Sequence, residues 1–149
     1  MKPSSTHTSQ TTLCVLALCA VLLLLAVGCG SGGTLSANAL SKQAESLQSF
    51  AAEGGLLAED AVSGKTTRIF TREHSSYLDK AASQAETSLQ TAKTEPALEP
   101  KLRGLTALAG KVSADLKRLG GASKEEQRTL GRELQAAAQA TKKIDEGLK

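Results

Sequence analysis

Few side chains in this sequence have the type and spacing for chemistry. Ser63-Gly64-Lys65-Thr66-Thr67 matches the end of a phosphate-binding loop, G-x-x-x-x-G-K-[ST], in which backbone N–H groups cradle the anion. The first glycine of that motif falls on Glu59, and helical rather than strand periodicity precedes it, so no nucleotide site is expected. His74 sits beside Glu73, with Phe70 and Tyr77 a turn away on either side. Such a histidine can ligate a metal, carry a phosphoryl group or act as a general base. A metal-binding bundle uses E-x-x-H, but position 71 is threonine, so no metal is expected. Histidine phosphotransfer domains place lysine and glycine soon after the histidine, whereas Ser75, Ser76 and Tyr77 follow here. The plain role is a half-buried histidine bonded to an acid of a facing helix, such as Glu59 or Asp60. No G-x-S-x-G elbow and no titratable pair at catalytic spacing occur, so the chain is expected not to be an enzyme and to need no cofactor.

The remaining reactive groups are Cys14, Cys19 and Cys29, and the segment that carries them differs from the rest of the 149-residue chain. From Leu13 to Val27 the sequence LCVLALCAVLLLLAV has no charge. As a helix it would reach about 22 Å, short of the roughly 30 Å hydrocarbon core of a bilayer. That length suits the apolar region of an export signal, with Lys2 and the amino terminus as its positive start and Ala26 and Gly28 as small residues before a cut.

Ala26-Val27-Gly28-Cys29 resembles the lipobox of bacterial lipoproteins, with alanine in place of the usual leucine and valine in place of a smaller residue. The resemblance implies cleavage between Gly28 and Cys29, thioether attachment of a diacylglycerol to Cys29, and residence on a cell or outer membrane with the domain outside the cytoplasm. Cys14 and Cys19 would leave with the signal, which makes Cys29 a lone cysteine with no intramolecular disulfide partner. The expected organisation is a signal peptide at 1–28, a lipidated cysteine and flexible Gly/Ser tether at 29–35, and a helical domain at 36–149.

Beyond Cys29 the chain holds 17 basic and 15 acidic side chains. So even a balance, without aromatic or motif support, argues against a nucleic-acid partner. The basic excess is confined to residues 101–149, which carry 11 basic and 6 acidic groups against 6 and 9 in residues 34–100. Three aromatic residues, Phe50, Phe70 and Tyr77, leave the core to leucine and alanine.

Those residues recur every three or four positions, the mark of amphipathic helices. Leu40, Ala44, Leu47, Ala51, Gly54, Ala58 and Ala61 form the first stripe, widened by Phe50 and Leu57, on a helix from about Ser36 to Val62. Gly54 and Gly55 either serve a close helix contact or break this helix. After Ser63-Gly64, a second helix from about Thr67 to Ala92 carries Phe70, His74, Tyr77, Ala81, Ala85 and Leu89 as its stripe, with Ile69, Leu78 and Ala82 alongside. Pro96 and Pro100 mark a boundary. Leu98, Leu102, Leu105, Ala109, Val112, Leu116 and Leu119 then make the most regular stripe. Ser123 with Glu126 forms a capping box for a last helix bearing Gln127, Leu130, Leu134, Ala137, Thr141, Ile144 and Leu148.

No such helix is stable alone, so the expected fold is all-α: an antiparallel four-helix bundle of two helical hairpins. Three heptads in each of the last two helices also fit pairing between copies, which leaves the oligomeric state open. The function this organisation implies is a membrane-anchored lipoprotein acting as a non-catalytic binding or structural accessory of the cell envelope, with an envelope protein as partner. The alternative is a small apolar ligand or lipid held in the bundle core, in a pocket lined by Phe50, Leu57, Phe70, His74 and Tyr77.

Overall fold

In the computed structural model, residues 34–149 are described. The expected export signal, cut after Gly28 and lipidation of Cys29 fall outside these residues. Four helices account for nearly all of the described chain: α1 (Ala37–Val62), α2 (Arg68–Thr91), α3 (Glu99–Leu119) and α4 (Lys124–Glu146). Three begin at a hydroxyl cap, as their sequences require. Ser36, Thr67 and Ser123 accept hydrogen bonds from the backbone N–H of Ala39, Phe70 and Glu126 at 3.2–3.3 Å, satisfying donors that have no partner inside the helix. The fourth, α3, starts with Pro100 in its first turn, where the missing N–H costs nothing. Gly64 ends the α1–α2 turn at φ 73°, a left-handed conformation that glycine adopts without a Cβ clash.

The helices form an antiparallel ring in chain order. The α1–α2 contact is marked by His74 and Glu53, α2–α3 by Asp79 and Ser113, α3–α4 by Lys111 and Glu133, and α4–α1 by Asp145 and Ser41. Within this ring the hairpins are not the most intimate pairs. α1 lies closest along α4, and α2 along α3, so each hairpin is clasped mainly through the other. α1 runs unbroken through Gly54 and Gly55, and both glycines serve close contact. A Cβ on Gly54 would lie 2.5 Å from Leu116 Cδ2 and 3.1 Å from Leu134 Cδ1; one on Gly55 would lie 2.9 Å from Gln135 Cγ. Opposite them, a Cβ on Gly131 of α4 would stand 3.0 Å from that of Ala58.

Leu40, Leu47, Leu78, Leu89, Leu105, Leu116, Leu119, Leu130 and Leu134 are wholly buried and make the core with interleaved alanines. Each such leucine contributes about 1.5–3 kcal/mol relative to leaving it exposed. The stripes of α1, α3 and α4 follow the expected faces, with Ala61, Leu98, Ile144 and Leu148 at the edges.

Two expectations need correction. The tether was expected to extend to residue 35, but Thr34–Leu35 (β1) pairs in parallel with Lys93–Thr94 (β2), and Thr94 Oγ1 donates to the Leu35 carbonyl at 2.9 Å. Leu35 is apolar and packs against the core, which draws this end of the tether onto the bundle. The second correction concerns α2. Its buried face is Thr71, Ser75, Leu78, Ala82, Ala85 and Leu89, one position round from the expected stripe in its first half. The cause is steric. Gly120, at the end of α3, lies so close that a Cβ there would meet Ser75 Oγ at 2.9 Å and Arg72 Cα at 3.0 Å. Ser75 is the small side chain that meets this turn, and the hydroxyls of Thr71 and Ser75 are bonded to backbone carbonyls one turn back.

Candidate contact site

Rotating α2 in this way turns its aromatic residues outward. Phe70 and Tyr77 are 52% and 65% exposed, and His74 lies half-buried between them. The three rings form one stacked row. Phe70 and His74 have centroids 5.4 Å apart and planes 11° from parallel, while His74 and Tyr77 are 6.2 Å apart at 25°. Spacings of four and three residues put them on one side of the helix, and the offset stacking holds each ring against rotation.

His74 fixes this row to α1. Its Nε2 lies 2.7 Å from Glu53 Oε1, and against an ionised carboxylate the ring N–H is the donor. The acid is therefore Glu53, not Glu59 or Asp60. In an antiparallel hairpin, facing residues have numbers summing to about twice the centre of the turn. A turn around Lys65 brings His74 opposite residue 56, as far from Glu59 as from Glu53, and helix phase decides between them: Glu59 lines the α4 side of α1, while Asp60 pairs with Lys65 at 3.3 Å.

Phe50 and Leu57, three residues before and four after Glu53, share its face of α1. All five residues expected to line a pocket thus come to one α1–α2 seam, but not as an internal chamber. Leu57 is in the core, Phe50 packs at its edge, and Phe70, His74 and Tyr77 form the outer rim. Beside Gly54, Leu116 and Leu134 fill the space. The seam is an exposed aromatic edge with an apolar floor and a single acid across it, an arrangement suited to contact. A phenyl or phenol ring brings about 150–250 Å² of surface to an interface at the cost of ordering two torsions.

Other charged groups serve the bundle itself. Asp115 is buried on α3, with the Lys111 ammonium 2.9 Å away, and Lys111 also donates to Glu133 at 3.1 Å. These bonds, led by that to Asp115, raise the Lys111 pKa against the opposing effect of burial. Asp145 accepts from Lys149 at 2.7 Å and from Ser41 Oγ, and these bonds, Lys149 first, lower its pKa. Neither cluster was evident from the sequence; an acid at a core phase of its helix with lysine four residues away is the signal that could have found both.

Among the described residues, no group of three or more histidine, cysteine or acidic side chains gathers as a metal site, and no helix is long and apolar enough to cross a membrane. No protein family, curated protein or solved structure matches this chain.

Proposed function

We propose that the chain is a bacterial envelope lipoprotein held at a membrane through Cys29, whose helical domain binds an envelope protein through the aromatic row of α2 and catalyses no reaction. The observation that carries the contact reading is the exposure of Phe70 and Tyr77 on a bundle whose interior is otherwise filled by leucine and alanine. In a chain with only three aromatic residues, leaving two of them in water gives up core stability, and a partner that covers them recovers it. The anchoring reading is supported by AVGC after the uncharged run.

Four residues, five Cα–Cα steps, separate Cys29 from Thr34, a span of at most about 18 Å, so the Thr34 end of the bundle would stand near the bilayer. Along α1 the seam between Phe50 and Leu57 lies roughly 20–30 Å from that end, which puts the row within reach of a protein partner when α1 stands away from the membrane.

Two measurements test the two parts. Mass spectrometry of the membrane-extracted protein should find a diacylglyceryl-modified Cys29 at the amino terminus; an unmodified cysteine, or retention of residues 1–28, would overturn the anchor. A photo-crosslinking phenylalanine at Tyr77 should yield a discrete protein adduct in cells, and the same probe at exposed Ala114 on α3 should not. Equal adducts at both positions, or none at either, would overturn the contact reading.

A further inference from the structure

A second surface feature lies on the opposite flank of α1. Between α1 and α4 runs an open groove of about 480 Å³, within the range of small-ligand sites. Its floor is apolar, made by Ala58 and Val62 of α1 and Gly131 of α4; the bare backbone of Gly131 keeps it clear. Polar groups are unevenly placed around it. Arg128 and Arg132, one turn apart on α4, both line the groove, and among the described residues neither guanidinium is ion-paired; Arg132 reaches only the Thr129 hydroxyl, at 3.5 Å. Gln127 adds an independent sign. It is 9% exposed and lines the same groove, yet among the described residues its side-chain amide has no hydrogen-bond partner. No buried polar side-chain atom is left without a partner among the described residues, so this amide keeps its contact with solvent and can donate to an oxygen that takes water's place in the groove. Glu59, on the α1 rim, is the sole acid lining the groove.

We propose that this groove binds an anionic amphiphile, its alkyl chain lying over Ala58, Val62 and Gly131 and its phosphate or carboxylate head held by Arg128, Arg132 and the Gln127 amide. Two guanidiniums present forked N–H donors that match the oxygens of such a head, and the apolar floor shields one side of the tail from water. Glu59 excludes a second anionic group at the α1 side and so favours a single head. The inference is independent of the contact site, which lies on the other side of α1.

The test uses the full chain in phosphatidylcholine nanodiscs, with empty discs as the partition blank and octyl phosphate as probe. Saturable binding is expected, with shifts of the Ala58 and Val62 methyl resonances. Inorganic phosphate and octanol, each lacking one half of the ligand, should bind at least about tenfold more weakly. Discs containing phosphatidylglycerol, without added probe, distinguish a membrane source: the same shifts there would make bilayer lipid the ligand, and their absence a free amphiphile. Arg128 and Arg132 are exposed, so Arg128→Glu with Arg132→Glu should leave the melting curve unchanged while weakening binding more than about tenfold; Gln127→Leu should weaken it severalfold. Binding that survives the double reversal, shifts confined to the α1–α2 seam, or no saturable binding from either source would overturn the proposal.

Discussion

α1 has two neighbours and meets them in opposite ways. Toward α4 it offers Gly55 and Ala58 to Gly131 and Gln135, and Gly54 to Leu134 and to Leu116 of α3, so closely that a single added carbon would collide. Toward α2 it offers Phe50, Glu53 and Leu57, and the seam stays open enough for an imidazole to bridge it. Close approach uses up small residues. Where α1 spends its glycines, nothing large can sit, and where it does not, rings remain at the rim. A bundle of this size therefore separates its tasks: the α1–α4 seam carries stability, while the α1–α2 seam carries a surface that stability does not require.

The sharpest way to break that contrast is to add bulk on the tight side. Gly131→Val places two methyl groups against Ala58 and should cost about 1–3 kcal/mol, less a few tenths recovered from helix propensity, read as a lowered denaturation midpoint. If the midpoint is unchanged, the two seams do not differ as described. A smaller effect is expected at the end of the same seam, from Asp145→Asn. The folded carboxyl has a lowered pKa, so its contribution to stability is present above the ordinary carboxylate value near 4 and is lost as pH falls through the folded value. Wild type should exceed the variant in thermal stability at pH 7, and the two should converge as pH falls below about 4; a gap that widens with acid would refute the assignment. The smallest effect belongs to the open seam. Phe70→Ser and Tyr77→Ser should each change stability by less than about 0.5 kcal/mol, because both rings are already largely in water, while Phe70→Ser abolishes the adduct of the probe at position 77. A loss of several kcal/mol would mean that the row belongs to the core.

That same row shows where sequence reading reaches its limit. In α3, leucine or valine fills nearly every core position of one stripe, no second stripe competes, and the buried face is legible outright. In the first half of α2 two stripes run one residue apart: Phe70, His74 and Tyr77 on one, Thr71, Ser75 and Leu78 on the other. Hydrophobicity favours the first, and the structure buries the second, with Ser75 seated against Gly120 at the end of α3. That decision is made by a residue 45 positions after Ser75, and periodicity within one helix cannot see it. The helix ends were readable because caps are local: Ser36, Thr67, Gly64 and Ser123 each act on their immediate neighbours. Continuity through Gly54 and Gly55 was not, since the same glycines that weaken an isolated helix are what α4 needs beside it. The β1–β2 bridge, two residues on each side, is too short to leave a periodic trace.

The contact between Lys149 and Glu45, at 3.3 Å, places Lys149 beside the third turn of α1, and β1 enters at that same pole. Chain order and spatial order are therefore separable. A short linker across this pole, with a cut at Gly64 or Gly121, where even an added Cβ would touch nothing, would give a circular permutant that begins at α2 or α4. Every helix seam would be retained, and the aromatic row would keep its place on α2 whichever helix came first.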